Sequence, residues 1–187
     1  MSTAPLQPRF EPARIIIVMG VSSSGKSTVG KATGRALHAP FLDGDGFHPP
    51  ENVEKMRAGI PLTDADRWPW LAALARGLRE AADPKGVSVG ACSALKRAYR
   101  DFLVKEAGEP ILFVYLKGTP EIIGERIAQR KHEYMPASLL GSQFATLEEP
   151  DPATENVLTV AVTDTVATTV ATVTRTVDHL KSFKRKQ

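Results

Sequence analysis

The feature that most restricts this chain is a short one. Arg14-Ile-Ile-Ile-Val-Met19 is a β-branched run ending at a glycine, which reads as a buried parallel strand. Gly20-Val-Ser-Ser-Ser-Gly25-Lys26-Ser27 follows at once, and Val29, Ala32, Ala36 and Leu37 then recur at helical spacing. Glycine, four residues, glycine, lysine and serine between a strand and a helix is the P-loop pattern in the context that pattern requires. The glycines let the backbone curl until successive N–H groups converge on phosphate oxygens, aided by the positive end of the helix. Lys26 is expected to bridge the outer phosphates, and the Ser27 hydroxyl to hold Mg²⁺. Gly20, Val21, Ser22, Ser23, Ser24, Gly25, Lys26, Ser27 and Thr28 form the expected nucleotide-binding set, a nucleoside-triphosphate site. The competing reading is a glycine turn before a helix.

The rest of the chain alternates strands with helices. Phe41-Leu42 reads as a second strand, closed by Asp43-Gly44-Asp45-Gly46. Pro49 and Pro50 open a small helix through Lys55, stopped near Gly59 and Pro61. Thr63 or Asp64 caps a longer helix that ends at Pro84-Lys85-Gly86. Val87–Cys92 is a third strand, with Ser93 capping a helix that runs to about Ala107. Ile111–Leu116 is the clearest strand. Thr119-Pro120-Glu121 starts a helix that reaches Arg130, and Ser138–Thr146 is another. Val157–Val162 is a fifth strand. The last segment is rich in Thr and Val, yet Val166, Val170, Val173, Val177 and Leu180 step at helical spacing and predict a helix. Five strands alternating with helices imply an α/β layered fold with a mainly parallel sheet. Ligands in such sheets bind beyond the carboxyl ends of the strands, where every motif here sits.

Composition narrows the function classes. With 42% hydrophobic and 24% charged residues in 187, the chain is ordinary for one globular domain and not for a disordered one. The aliphatic run Ile15–Met19 is far short of the roughly 20 apolar residues a membrane span needs, so no membrane partner is expected. The one cysteine, Cys92, excludes a disulfide framework and suits a reducing, cytoplasmic setting. The sequence pI near 9.1 invites a nucleic-acid reading. However, Lys181, Lys184, Arg185 and Lys186 lie in the last seven residues, and without them the balance turns slightly acidic. A basic tail is not a basic face, and nucleic acid is not expected as a partner.

Around the loop stand further candidates. Asp43-Gly-Asp45-x-x-His48 places two carboxylates around a glycine, able to serve Mg²⁺ and a substrate hydroxyl. The third strand lacks the terminal Asp of a Walker B motif, which leaves that role to Asp43 and Asp45. His48 either binds substrate or caps the next helix. Lys55, Arg67, Lys96, Arg97 and Arg100 are cations near helix starts, suited to a substrate carboxylate or to ordinary surface charge. Arg126 and Arg130, four apart, share one helix face. A lid closing over ATP would bring them to its phosphates; the alternative is a charge on the helix dipole.

Taken together these residues carry a resemblance. The P-loop, Phe41-Leu-Asp-Gly-Asp-x-x-His48-Pro, Asn52-x-x-Lys55-Met56, Pro61-Leu-Thr-Asp64-x-Asp66-Arg67-x-x-Trp70-Leu71, Ala91-Cys-Ser-Ala-Leu-Lys-Arg97-x-Tyr-Arg100-Asp101 and Ser142-Gln-Phe-x-Thr-Leu-Glu148 are similar to the small P-loop gluconokinases, relatives of shikimate and adenylate kinases. The resemblance spans roughly residues 14–160. It implies ATP-dependent phosphorylation of D-gluconate at the 6-hydroxyl, giving 6-phospho-D-gluconate for the pentose phosphate route. It also implies the P-loop kinase fold, with a five-stranded parallel sheet in order 2-3-1-4-5 flanked by helices, and commonly a homodimer. By matching position, Asp45 would orient or deprotonate the attacking hydroxyl and Asp43 would assist Mg²⁺. Arg67, Arg97 and Arg100, with Lys55 and His48, would surround the sugar acid, and Gln143 would reach in from the helix after the lid. Lys26, Asp45 and Arg130 are the expected catalytic residues, with Arg130 arriving on lid closure. The expected organisation is a disordered extension over 1–13, a kinase domain over 14–181 with a mobile lid near 126–137, and a basic tail over 182–187. The rival readings are a kinase for another small acid such as shikimate, and a non-catalytic nucleotide-binding regulator. The chain departs from the resemblance at Ser23, where glycine is usual, and at His132-Glu133-Tyr134-Met135, where Gly-His-Phe-Met is common.

Overall fold

The chain was analysed as a computed structural model, which describes residues 10–83, 86–129 and 137–184. β1 (Ile15–Met19) lies in the middle of a five-stranded sheet with β2 (Phe41–Asp43), β3 (Ser88–Ala91), β4 (Ile111–Lys117) and β5 (Val157–Ala161). The order is β2-β3-β1-β4-β5 and every pairing is parallel, as the resemblance implied. Parallel strands must be joined by crossovers, and helices fill them: α1 (Lys26–Ala36), α2 (Pro50–Arg57), α3 (Asp64–Ala81), α4 (Arg97–Ala107), α5 (Pro120–Gln129), α6 (Ala137–Thr146) and α7 (Val166–Lys184). A short 3-10 turn, Gly44–Phe47, follows β2.

Both sheet faces are covered, which explains why β1 and β4 are apolar at consecutive positions rather than at alternate ones. Ile15, Ile17 and Met19, with Ile111, Phe113 and Tyr115, pack against Leu71, Leu74 and Leu78 of α3 and Leu103 of α4. The intervening Ile16, Val18, Leu112, Val114 and Leu116 pack with Val29 of α1 and Val173 and Val177 of α7. The valines of the Thr/Val-rich segment are therefore the buried stripe of a helix, not a strand. That helix continues to Lys184, into the stretch expected to be a tail.

Two local expectations change. Ser93 does not cap the fourth helix: α4 begins at Arg97 after an irregular stretch in which Ala94 has φ +44°. Its first N–H, that of Arg97, donates to Glu148 Oε2 at 2.6 Å, so a carboxylate from 51 residues downstream supplies the cap. Residues 10–13 of the segment expected to be disordered are held in place. Phe10 and Ala13 pack on the core, and Glu11 N–H donates to Asn156 Oδ1 at 3.0 Å. By contrast, Thr63 caps α3 as expected and forms a capping box with Asp66. Among the described residues, no helix is long and apolar enough to cross a membrane.

Candidate active site

β1 is the central strand, with β3 on one side and β4 on the other, so the loop after it emerges at the switch point of the sheet. Gly20 and Gly25 take φ +146° and +100°, which a side chain would strain. A Cβ on Gly20 would also stand 3.0 Å from Ser24 Oγ and 3.1 Å from the Leu116 carbonyl. Ser23 has φ +60°, so this chain carries a serine in the left-handed region, at a cost of about 1–2 kcal/mol. α1 opens on Gly25 without a side-chain cap or an acid in its first turn. Its leading N–H groups thus have no acceptor side chain of their own, the arrangement that receives an anion. Ser24 Oγ is buried and has no partner among the described residues.

Side chains from four elements gather on this loop. Lys26 Nζ donates to the Val21 carbonyl at 2.9 Å, folded over the rim. Ser27 Oγ donates to Asp43 Oδ2 at 2.7 Å, tying the start of α1 to the end of β2. Arg126 of α5 reaches the Ser24 carbonyl at 3.3 Å and also donates to the Val162 carbonyl, which places it across the loop. Gln143 of α6 grips Ser22 twice: its Oε1 accepts from the Ser22 N–H at 2.6 Å and its Nε2 donates to Ser22 Oγ at 2.9 Å. Thr28 is exposed on the first turn of α1.

The donor set fits MgATP. Among the described residues, no cluster of three His, Cys, Asp or Glu side chains could cage a metal. A Mg²⁺ ion at Ser27 and Asp43 would complete its shell with phosphate oxygens and water, as this ion commonly does.

On the acceptor side, the 3-10 turn carries Asp45 into solvent beside β3. The turn is anchored from beneath. Trp70 of α3 donates its indole N–H to the Gly44 carbonyl at 2.7 Å, and a Cβ on Gly44 would lie 2.5 Å from the Ala91 carbonyl. His48 does not cap α2, whose N-cap is Pro49; its ring stacks on Trp70 at 4.0 Å. Burial pushes the His48 pKa down and Arg67 adds to this, against the opposing charge of Asp45. Cys92, at the end of β3, is buried, and its thiol is pushed up to about 12; Lys26, Asp45 and Arg67 are among the charges acting on it. The thiol itself is inert.

The cations expected around an acid substrate do not all gather there. Arg67 faces the Tyr99 ring at 5.6 Å and donates to the Leu62 carbonyl. Lys55 is paired with Asp66 through both carboxylate oxygens, at 2.8 and 2.9 Å. Arg97 turns to Asp101, Thr154 and Glu155. Arg100 is 1% exposed and makes a two-point ion pair with Glu155, itself 6% exposed, while its remaining nitrogen bonds the Ala94 and Leu95 carbonyls. The guanidinium of Arg100 is thus engaged inside the fold, where it clamps Glu155 to the carbonyls before α4. Arg130 lies outside the described residues, as do residues 131–136 of the expected lid.

Comparison with known proteins decides which kinase-like fold this is. Residues 15–150 match the family described as an AAA domain. The thermoresistant gluconokinase of Escherichia coli K12 is 42% identical over 170 residues, covering 91% of this chain and 95% of that protein. The gluconokinase of Gluconobacter oxydans 621H is 48% identical over 145 residues, 78% of each. The chain belongs to the gluconokinase family. The crystal structure of a gluconokinase from Sinorhizobium meliloti 1021 matches with a TM-score of 0.78 at 44% identity, covering 92% of this chain and 98% of that one.

Within that family fold, sequence reasoning missed the residues that hold the site rather than face it. Trp70 lies three residues after Arg67, so the two share a face of α3, a spacing that points to a joint role. Asp64 accepts from Tyr99 Oη at 2.5 Å and from Lys96 Nζ at 3.0 Å, joining α3 to the start of α4. These bonds hold Asp64 below the usual carboxylate range, Tyr99 first and Lys96 next. Nothing in the local sequence announced that pairing.

Proposed function

We propose that this chain transfers the γ-phosphoryl group of ATP to the 6-hydroxyl of D-gluconate, releasing ADP and 6-phospho-D-gluconate. The observation that carries the reading is the Ser27–Asp43 hydrogen bond, which brings the P-loop and the acidic turn together. The named activity of relatives that are more than 40% identical over most of the chain supports it. Ser27, with help from Asp43, would hold Mg²⁺, which when bound would neutralise charge on the phosphates. The loop N–H groups and Lys26 bind and align the phosphate chain, with Arg126 across the loop and Arg130 arriving from the lid. Asp45 orients the attacking hydroxyl and takes its proton as the new ester bond forms. Arg67 supplies the charge for the sugar-acid carboxylate. Positioning and electrostatics dominate, and closure keeps water from intercepting the phosphoryl group. In this reading the enzyme is a cytoplasmic homodimer feeding pentose phosphate metabolism.

The test is coupled ADP release with MgATP against gluconate, shikimate, AMP and no acceptor. Turnover with gluconate alone is expected. Turnover with another acceptor would overturn the pocket assignment, and ATP binding without any turnover would favour a regulator.

A further inference from the structure

Two buried side chains to which no role in the reaction has been assigned meet the acidic turn and the histidine after it: Trp70 holds Gly44 and His48, and Asn52 contacts His48, each 3% exposed. Asn52 Nδ2 donates to the Asp66 carbonyl at 2.9 Å and lies 3.4 Å from His48 Nδ1. The carbonyl fixes which way the amide is turned, since the flipped amide would set oxygen against oxygen. The second N–H of the same nitrogen then meets His48, so Nδ1 is the acceptor and the ring proton sits on Nε2. Nε2 has no partner among the described residues, and the ring lies in the fields of Asp45 and Arg67. Trp70 completes the unit. One indole fixes the ring plane by stacking at 4.0 Å and 18°, and fixes the backbone between Asp43 and Asp45 through the Gly44 carbonyl.

We propose that Asn52 and Trp70 are positioning residues of the acceptor site: Asn52 sets His48 as a neutral Nε2–H donor to a hydroxyl oxygen of the sugar acid, and Trp70 locks that donor and Asp45 into one unit. A neutral donor suits an uncharged hydroxyl, while Arg67 serves the carboxylate. The inference rests on the proposed gluconate reaction for the identity of the acceptor.

The test uses the full chain labelled with ¹⁵N-histidine. The His48 signal, identified by its loss in His48→Gln, should report the Nε2–H tautomer near pH 8 without substrate. In Asn52→Asp the carboxylate can only accept, so a proton should appear on Nδ1. The gluconate KM should then rise about tenfold, a loss of about 1.4 kcal/mol, with the ATP KM within about twofold of the parent. Trp70→Phe keeps a stacking ring but loses the donor to Gly44, and should lower kcat about tenfold. If Asn52→Asp fails to fold, a second pair decides. Gln places its amide nitrogen near the position of Nε2 and should hold KM within about threefold, while His48→Asn should raise it about tenfold.

An Nδ1–H tautomer in the parent, equal kinetics for His48→Gln and His48→Asn, or gluconate and ATP KM values rising together in Asn52→Asp would overturn the proposal. If the parent turns over another acceptor instead of gluconate, the reaction assignment falls, while the substrate-free tautomer still tests the role of Asn52 independently.

Discussion

The two halves of the site are built differently. The nucleotide side is mostly backbone: a loop of eight residues contiguous in sequence, bent by left-handed φ values at Gly25 and Ser23 and backed by the uncapped start of α1. The proposed acceptor side draws its side chains from the 3-10 turn, α2 and α3, and much of the charge expected there is engaged within the fold. Lys55 is held by Asp66 and Arg100 by Glu155, and Arg97 faces the 151–155 loop. A phosphate cradle can be written in a local motif, because its donors are peptide groups fixed by φ and ψ. A pocket for a sugar acid cannot, because whether an arginine serves the substrate or the fold depends on which carboxylate it meets.

The largest break in this comparison should come from Lys26→Ala, which removes the cationic side chain of the loop motif itself. The value of kcat for gluconate phosphorylation should fall at least roughly a thousandfold, with the thermal midpoint little changed. Arg100→Ala should do the reverse. It strands Glu155 in the interior, and urea denaturation should show a loss of about 3–5 kcal/mol. The gluconate KM of whatever enzyme remains folded should stay near that of the parent.

Arg67→Ala and Arg97→Ala sharpen the contrast within one expected set. The first should raise the gluconate KM about 10–100-fold, the second less than about threefold. Parity between them would return Arg97 to the pocket.

A smaller effect is expected at Ser23→Gly. Relief of the left-handed strain is partly offset by the extra freedom of glycine in the unfolded chain. A net gain of up to about 1 kcal/mol should lift the melting temperature by about 2–4 °C.

The acid side of the pH profile offers the finest test. Hydrogen bonds from Lys55, then from the Thr63 N–H and hydroxyl, hold Asp66 at about 2. A carboxylate held below its unfolded value, near 4, contributes stability that is complete above that value and is lost as pH falls through about 2. Between pH 4 and pH 2 the parent should lose more stability than Lys55→Met, measured by urea midpoints at each pH.

Much of this molecule was legible before any coordinates. β1, the loop and α1 follow from a β-branched run, two glycines and an apolar stripe, all within residues 14–37. Thr63, one of the two residues expected to cap α3, does so because a cap is a local choice, and the structure adds Asp66 as its capping-box partner. The stepped valines after Val166 outweighed the strand preference of Thr and Val because one face of that helix is buried against the sheet.

What only the tertiary structure decided involves partners distant in sequence. Arg100 meets Glu155 and the start of α4 meets Glu148 because β4 and β5 lie side by side and bring the 148–155 segment against α4. Trp70 meets Gly44 because α3 lies against the turn after β2. Asn52 meets His48 four residues away, yet its orientation is set by the carbonyl of Asp66, fourteen residues away on α3. Sequence alone determined the backbone phosphate cradle, since peptide groups and φ preferences are carried in every local stretch. Long charged side chains take whichever opposite charge the packed helices bring within reach, and that choice is made only when the sheet closes.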